Sequence, residues 1–257
     1  MKILSLLILL VILGCSSNQK ETRSPTEKKA DLHFTQGTKE LIRGEYHHAL
    51  KNLRLSAKYR PEDSKTQNNL GMAYFYRKSP SNAINHLQKA VNIDPENQDA
   101  RLNLGSVFMN QGMYKKAKKE FKLILKSLVY DQQYKTHYNL GVLAFRQNNM
   151  NLAIKEFRQS LGINENYCPS HSKLGEIYNR IKNYKMSLKY YQTGTEGVCY
   201  SLFPPTKELI ILLTRLGMYK KAELKISDAK DRFTEENEKE ELKKLQKYLD
   251  IKIRRSI

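Results

Sequence analysis

A pair of residues, Leu-Gly, returns along the chain at a nearly constant interval. The pair stands at Leu70-Gly71, Leu104-Gly105, Leu140-Gly141 and Leu174-Gly175, and Gly37 lies one interval earlier. Successive glycines are 34, 34, 36 and 34 residues apart. A fixed period of about 20 to 50 residues is typical of repeat proteins, in which stacked copies of one unit bury a continuous core. The chain is therefore expected to fold as a linear stack of similar units.

Two further positions keep the same register. A small residue follows each glycine after about twelve residues, and a large apolar residue comes four positions later. The small residues are Ala49, Ala83, Ala117, Ala153 and Ser187, and the large ones are Leu53, Leu87, Phe121, Phe157 and Tyr191. This period and pattern are those of the tetratricopeptide repeat, a helix–turn–helix unit. We expect the glycine and the small residue where the two helices cross closely, and the large residue between neighbouring hairpins.

Local signals mark where the helices should end. Arg60-Pro61 and Asp94-Pro95 fall at the expected end of a second helix, because the residue before proline avoids the helical conformation. A sixth, divergent copy contains Leu216-Gly217-Met218-Tyr219, which echoes Gln111-Gly112-Met113-Tyr114 in the third. The sequence thus predicts an all-α, right-handed superhelical solenoid of about six tetratricopeptide repeats over residues 30–234.

A last helix is expected over residues 235–257. Thr234 is its expected N-cap, and Leu242, Leu245 and Leu249 fall on one face. Arg254 lies in the last turn, where a positive charge complements the helix dipole. Because the end of a solenoid must be closed, we interpret this segment as a C-terminal capping helix.

The N-terminus carries an apolar run that is too short to cross a bilayer. Eleven nearly all-apolar residues run from Ile3 to Leu13, whereas a membrane-spanning helix needs about 20. A short apolar run behind one lysine is typical of a secretory signal peptide, which we assign to residues 1–14. The sequence Ile12-Leu13-Gly14-Cys15 resembles a bacterial lipobox, which implies cleavage before Cys15 and lipidation of its sulfur.

Ser16 follows the expected lipidation site, where many lipoproteins of the inner membrane have Asp. The resemblance therefore implies attachment to the periplasmic face of the outer membrane. A plain signal peptide with an incidental cysteine is the alternative. Residues 15–29 mix polar residues with Pro25 and have no apolar period, so they are predicted to form a lipidated flexible tether.

The combination of a lipobox, six tetratricopeptide repeats and no other domain resembles the PilF/PilW family, the lipoprotein pilotins of type IV pili. Local likeness includes the longer connection Leu128-Val129-Tyr130-Asp131-Gln132-Gln133-Tyr134 before the fourth repeat, the Asn139-Leu140-Gly141 helix that follows this connection, and the entry Tyr167-Cys168-Pro169-Ser170 into the fifth repeat. The resemblance implies a protein that helps the outer-membrane secretin to localise and multimerise.

The first helix of each tetratricopeptide repeat lines the concave side of the solenoid. The repeat positions that face this side are rich in apolar and aromatic residues here. They are Phe34, Leu41, Ile42, Met72, Phe75, Tyr76, Leu102, Met109, Tyr138, Val142 and Phe145. A stripe at helical spacing can also be core, but the buried positions of the repeat are already filled by the residues above. The set is therefore interpreted as a groove for an amphipathic helix or an extended apolar peptide.

Asn69, Asn103 and Asn139 stand just before the Leu-Gly pairs. They are interpreted as structural residues, since asparagine is commonplace at this repeat position. The clamp with which chaperone-type repeats grip a terminal carboxylate is not reproduced, because Phe34 and Thr38 occupy two of its positions.

Cys168 is expected to open the first helix of the fifth repeat, and Cys199 to follow its second helix. An antiparallel hairpin returns the chain to where it began, so the two residues can approach within the roughly 4.4–6.8 Å between Cα atoms that a disulfide requires. The periplasm is oxidising. We predict a Cys168–Cys199 disulfide, with two buried free thiols as the alternative.

The chain has 45 Lys and Arg against 26 Asp and Glu, a net charge of +19. Such a charge suits nucleic acid, but the expected export and the lack of a nucleic-acid-binding motif argue against that partner. The lysines are spread over outward helix faces. They either form a solvated surface or attract anionic lipid headgroups or an acidic partner segment.

No residues show the spacing of a catalytic or metal site. His47 and His48 are adjacent and so point to different helix faces, and three cysteines are too few for a four-cysteine zinc site. We therefore expect no enzymatic activity, no cofactor, no metal and no small-molecule substrate. Three hypotheses remain: a pilotin that binds a secretin, an outer-membrane adaptor for peptidoglycan enzymes or barrel assembly, and a lipid-anchored enzyme.

Overall fold

The computed structural model describes residues 23–256, which form thirteen α-helices and one short 3-10 helix. The α-helices are α1 (Pro25–Ile42), α2 (Tyr46–Tyr59), α3 (Ser64–Tyr76), α4 (Pro80–Ile93), α5 (Gln98–Asn110), α6 (Tyr114–Ile124), α7 (Gln133–Arg146), α8 (Met150–Ile163), α9 (Cys168–Arg180), α10 (Tyr184–Thr193), α11 (Phe203–Arg215), α12 (Tyr219–Arg232) and α13 (Glu236–Arg254). The 3-10 helix is Gly197–Cys199. None of the helices within residues 23–256 is both long and apolar enough to span a membrane.

The first twelve helices pair in sequence order into six hairpins, and the hairpins stack in a row. The second helix of each hairpin packs on the first helix of the next. This arrangement confirms the predicted solenoid of six tetratricopeptide repeats. Proline also acts as expected, because α2 ends one residue before Arg60-Pro61 and α4 one residue before Asp94-Pro95.

Each hairpin closes on its glycine. A Cβ atom built on Gly105 would lie 2.5 Å from Cε1 of Phe121, and one on Gly141 would lie 2.7 Å from Cε1 of Phe157. Gly37, Gly71 and Gly175 make the same contact with Leu53, Leu87 and Tyr191. The large residue therefore covers the glycine of its own hairpin. It also lies in an apolar cluster with residues of the next hairpin, as expected: Phe121 clusters with Leu140 of α7, and Phe157 with Leu174 of α9.

The turn inside each hairpin contains one residue with left-handed backbone. Three of the six are glycines and three are not. They are Gly44, Lys78, Gly112, Asn148, Lys182 and Gly217, with φ between 58° and 79°. Glycine adopts this conformation at no steric cost, whereas a side chain makes it unfavourable.

A polar or aromatic pair joins the two helices of most hairpins at one repeated position. The first-helix residue lies 19 positions before its partner. The pairs are His33–Asn52, Gln67–His86, Arg101–Glu120 and His137–Glu156. His33, His86 and His137 thus have partners inside their own hairpins, which gives them a structural role.

The N-terminal boundary of the folded body differs from the prediction. Helix α1 begins at Pro25, so residues 25–29, expected in the tether, are helical. Ser24 accepts a hydrogen bond from the Glu27 amide, and the Glu27 carboxylate accepts one from the Ser24 amide. This reciprocal capping box, with Pro25 at the first helical position, starts the helix early. Residues 1–22, with the predicted signal peptide and Cys15, lie outside the described range.

The C-terminal helix α13 packs on α11 and α12. Leu242, Leu245 and Leu249 are buried there in a cluster with residues of the sixth hairpin. The capping role is therefore as expected, but the N-cap is Glu235 and not Thr234. The chain has not yet turned into the helix at Thr234, because α12 is followed by the extended residue Phe233, which is itself buried.

Candidate partner-binding groove

The first helices form one wall of the solenoid. Helices α1, α3, α5 and α7 contact one another in sequence order, in addition to their hairpin partners. Most of the predicted groove residues lie half-buried on these helices. They are Phe34, Leu41, Met72, Phe75, Tyr138, Val142 and Phe145. Half-burial leaves part of each side chain accessible, as a binding wall requires.

Two predicted groove residues belong to the core instead. Leu102 and Met109 are 8% and 6% exposed and lie in the same apolar cluster as Phe121. Their helix, α5, has a neighbour on each side, α3 and α7, which cover its inner positions. The assignment of Leu102 and Met109 to the groove surface is therefore wrong.

Two others lie at the edge of the wall. Ile42 and Tyr76 are the last residues of α1 and α3, beside the hairpin turns, and are 81% and 47% exposed. The Tyr76 ring stacks on Tyr46, the first residue of α2, with 4.9 Å between ring centroids. These residues border the groove at its turn side and do not line its centre.

Polar side chains link the first helices between the apolar residues. The Asn69 side-chain amide donates to the Thr38 hydroxyl at 2.9 Å, and that of Asn103 donates to the side-chain carbonyl of Asn68 at 2.9 Å. Asn139 donates to the Ser106 hydroxyl at 3.4 Å. All six residues are half-buried: Thr38, Asn68, Asn69, Asn103, Ser106 and Asn139. These contacts agree with the structural role predicted for the three asparagines, and we call the six residues the asparagine ladder.

The ladder makes the inner wall more polar than the sequence suggested. An asparagine amide has two donors and an acceptor, so one inter-repeat bond leaves capacity for a partner. The wall therefore offers both apolar side chains and amide groups. The sequence signal was present, because Asn69, Asn103 and Asn139 recur with the repeat period.

An aromatic cluster closes the wall at the fourth and fifth repeats. Tyr138 packs against Phe157 and Tyr167, with ring centroids 5.6 and 5.4 Å apart, and Tyr134 meets Tyr167 at 4.9 Å. Burial raises the pKa of Tyr138, and it raises the pKa of Tyr167 to about 12. Both phenols are therefore neutral near pH 7. Tyr138 is partly used by this packing, which leaves less of its ring for a partner.

Phe145 is flanked by cations of the next hairpin. Lys173 Nζ lies 5.6 Å and the Arg180 guanidinium carbon 5.7 Å from the ring centroid. Contact with the ring face favours both cations. This part of the wall is thus amphipathic.

A cavity of about 560 Å³ lies beside the α6–α7 connection. It is lined by Phe34, Asn68, Asn69 and Val129 together with acidic residues, among them Asp99 of α5 and Asp131 of the connection. Tyr130 donates to Asp99 at 2.9 Å and fixes the connection to α5. Leu128 and Val129 are 98% and 90% exposed at its tip. The sequence indicated this connection by the interval of 36 residues and by the stretch that begins at Leu128, but its acidic lining was missed.

Cys168 and Cys199 are joined by a disulfide, with their Cα atoms 5.5 Å apart. Cys168 is the first residue of α9, and Cys199 is the last residue of the 3-10 helix between α10 and α11. The bond therefore holds the connection to the sixth hairpin against the start of the fifth.

One acidic cluster has the composition of a metal site. Ligand atoms of Glu40, Glu45 and His48 lie within 4.8 Å of one another. Glu40 is buried and its carboxylate already accepts hydrogen bonds from Gln36 and Asn52. Burial opposes ionisation, but these hydrogen bonds hold the pKa of Glu40 below its usual range. The carboxylate is thus engaged in joining α1 to α2.

Comparisons with known proteins agree with this architecture. Two tetratricopeptide-repeat families match the chain, described as "TPR repeat" over residues 71–112 and "Tetratricopeptide repeat" over residues 98–127 and 134–167. The type IV pilus assembly protein PilF of Pseudomonas aeruginosa is 21% identical over 188 residues, which are 72% of this chain and 75% of PilF. Anaphase-promoting complex subunit 3 of Schizosaccharomyces pombe is 25% identical over 146 residues, and the match spans 56% of this chain but only 22% of that protein.

Solved structures show the same fold at low identity. The structure of PilF from Pseudomonas aeruginosa has a TM-score of 0.67 and 18% identity, over 86% of this chain and 99% of PilF. The type IV pilus biogenesis factor PilW has a TM-score of 0.69 and 16% identity, over 84% of this chain and 98% of PilW. The Cut9–Hcn1 complex of the anaphase-promoting complex has a TM-score of 0.68, but only 44% of that chain is covered. The chain is therefore a tetratricopeptide-repeat protein that resembles the type IV pilus biogenesis factors PilF and PilW.

Proposed function

We propose that this protein is an outer-membrane lipoprotein, anchored through Cys15 on the periplasmic side, that acts as a pilotin. In this role it binds a segment of the type IV pilus secretin and promotes its localisation and multimerisation. The observation that carries the proposal is the match to PilF, which extends over 72% of this chain and 75% of PilF. A match across most of both chains differs from the yeast match, which spans 22% of its relative.

The inner wall supports a binding role without chemistry. Tetratricopeptide repeats mediate protein–protein interactions, and the stacked hairpins give the wall a preformed shape. Half-buried apolar residues such as Met72, Phe75 and Val142 alternate with the asparagine ladder. Apolar side chains provide affinity for a partner's apolar residues, and free amide groups suit its backbone. Such a wall fits a helix or an extended segment.

The proposed anchor gives this wall its location. The lipobox-like sequence ends at Cys15, and the folded body begins with α1 at Pro25. A body held close to the bilayer meets partners in the same membrane at a high effective concentration. The anchor and the wall together describe an escort for a membrane-inserted protein.

The proposal is tested by polar substitutions on the inner wall in a strain that assembles type IV pili. Met72→Gln with Phe145→Gln changes two half-buried wall residues on α3 and α7. The matched control is Leu224→Gln on α12, a second helix, where the side chain is 69% exposed. We expect the wall variant to retain its circular dichroism spectrum and membrane fractionation but to lose secretin multimers and surface pili. The control should assemble both normally.

Two results would contradict the proposal. A deletion strain with normal secretin multimers and normal pili would favour the second candidate, an adaptor for peptidoglycan enzymes or barrel assembly. The similarity to anaphase-promoting complex subunits supports keeping this candidate, because it shows that the same repeat serves unrelated assemblies. Fractionation of a Cys15→Ala variant with the outer membrane, at unchanged mass, would refute the anchor.

A further inference from the structure

A second concave surface lies away from the inner wall, between α2 and the second hairpin. It encloses about 860 Å³. Lys51, Arg54 and Lys58 of α2 line it together with Arg77, which follows α3. Its apolar floor includes Tyr74. We call this surface the basic groove.

The cations of the basic groove are not neutralised by the protein. Within residues 23–256, Lys51, Arg54, Lys58 and Arg77 form no ion pair with a carboxylate. A guanidinium nitrogen of Arg77 lies 3.1 Å from Nδ1 of His47. Like charges three or four positions apart on one helix repel each other, so an anion in the groove would relieve an unfavourable arrangement.

The neighbouring histidine responds to this positive charge. His86 stacks on Tyr74, and its Nδ1 donates to the side-chain carbonyl of Gln67 at 2.8 Å. Burial lowers the pKa of His86, and the charges of Lys89 and Arg54 lower it further. His86 is therefore neutral near pH 7, and the positive potential of the groove comes from its lysines and arginines.

The basic groove lies at the end of the molecule where the described chain begins. Arg23 and Arg60 both pair with Asp31, at 2.5 and 2.7 Å. This pairing holds residue 23 beside Arg60, which directly follows α2 and lies two residues after Lys58 in the sequence. Cys15 precedes Arg23 by eight residues, and eight residues span at most about 29 Å when fully extended.

We propose that the basic groove binds the phosphate headgroups of anionic phospholipids and orients the solenoid on the membrane surface. Placement at that surface rests on the lipidation of Cys15 in the proposed function. Lysines and arginines over an apolar floor with an aromatic ring match the interface of a bilayer, where phosphates lie above the acyl chains. An acidic protein segment is less suited, because the groove offers side-chain cations and no ladder of amide groups.

The test uses the chain from residue 16 onward, which contains every described helix and lacks Cys15. Sedimentation with vesicles of phosphatidylcholine, with or without phosphatidylglycerol, measures its partition into the bilayer. We expect binding only to vesicles that contain phosphatidylglycerol, and weaker binding at high NaCl. The triple variant Lys51→Gln, Arg54→Gln, Lys58→Gln should bind at least about tenfold more weakly, since each basic residue beside an anionic surface contributes separately.

A matched control removes the same charge elsewhere. The control is one triple variant, Lys220→Gln, Lys221→Gln, Lys247→Gln, which changes three exposed lysines of α12 and α13 at the other end of the solenoid. This variant should bind like the unsubstituted chain, and both variants should keep the helical circular dichroism spectrum. Equal losses in the two variants would reduce the effect to net charge and overturn the proposal.

Three other results would also overturn it. One is the absence of binding to phosphatidylglycerol vesicles. The second is displacement by inorganic phosphate that exceeds the effect of NaCl at equal ionic strength, which would identify a site for free phosphate. The third is binding of a polyglutamate peptide but not of vesicles, which would identify an acidic protein partner. No secretin or lipidated cysteine is present in this assay, so its failure and the failure of the pilotin role are distinguishable.

Discussion

Glycine at the crossing point of each hairpin is a packing requirement at the level of single atoms. In Gly105→Ala the new methyl group would meet Cε1 of Phe121 at 2.5 Å, and Phe121 is fully buried. Because protein interiors are close-packed, we expect the ring to be accommodated only if the two helices separate. We expect the free energy of unfolding to fall by about 1–3 kcal/mol, measured by urea denaturation followed by circular dichroism.

Gly162→Ala is the matched control. Gly162 lies in α8, and a Cβ atom there would have no neighbour within 4 Å. Alanine is the better helix former, so this variant should gain about 0.5–1 kcal/mol in a helix interior and less near its end. Equal destabilisation of the two variants would show that the crossing contact is not the cause.

At the residue scale, the sequence predicted helix faces better than exposure. Met72 and Val142 lie half-buried on the inner wall as expected, whereas Leu102 and Met109 are buried. The position of a residue within the repeat predicts which way its side chain points from its own hairpin. It does not predict how closely the next hairpin approaches, and that distance decides whether the side chain lines the groove or is buried in the core.

Among the elements, the fifth hairpin is held by a covalent bond. The Cys168–Cys199 disulfide closes a loop with a sequence separation of 31 residues. In the chain-entropy account such a loop contributes about 3–4 kcal/mol by restricting the unfolded chain. Cys168→Ser with Cys199→Ser should therefore lower the thermal midpoint, and reductant should lower that of the unsubstituted chain by a similar amount. The double variant should not respond to reductant, and two alkylatable thiols in the unreduced, denatured chain from residue 16 would contradict the bond.

The last helix is expected to contribute stability and not binding. Removal of residues 235–257 would expose the apolar surface of α11 and α12 that Leu242, Leu245 and Leu249 now cover. We expect a lower thermal midpoint and concentration-dependent association, measured by calorimetry and light scattering. Removal of residues 255–257 alone, which follow α13, is the control and should change neither. A truncated chain that stays monomeric with an unchanged midpoint would refute the capping role.

Element boundaries were predictable where a local signal dominates. Pro61 and Pro95 ended α2 and α4 in the expected places. The start of α1 was missed although Ser24 and Glu27 form the spacing of a capping box, because the apolar period begins only later. A short capping signal can thus extend a helix beyond its amphipathic part.

Stability of the whole molecule should vary along the solenoid. Within residues 23–256, the main contacts of each hairpin are with its sequence neighbours, so the end hairpins have fewer contacts than the central ones. The C-terminal end is closed by α13 and the disulfide, whereas α1 and α2 have a neighbouring hairpin on one side only. We expect amides of α1 and α2 to exchange with deuterium first and those of α5 to α8 last, measured by mass spectrometry. Equal protection in α1–α2 and α5–α8 would contradict this order.

The fold of the whole chain was predictable because the glycine, the small residue and the large apolar residue all recur with the same period. The basic groove was not, since Lys51 and Arg77 are distant in sequence and meet only through the stacking of two hairpins. The asparagine ladder was predictable in part. Its asparagines recur with the period, and so do the partners Thr38 and Ser106, which each follow the repeat glycine, but the partner Asn68 stands at a different repeat position.

The six hairpin turns are of two kinds, which differ in the residue that has left-handed backbone. Gly44, Gly112 and Gly217 adopt left-handed backbone freely, whereas Lys78, Asn148 and Lys182 adopt it against a steric cost. The second, fourth and fifth hairpins therefore hold conformational strain at exposed turn residues. Because the turns repeat at one position, the chain can be made more rigid or less rigid one hairpin at a time by exchanging a single residue outside the core. A linear stack of this kind allows its stiffness to evolve independently of its recognition.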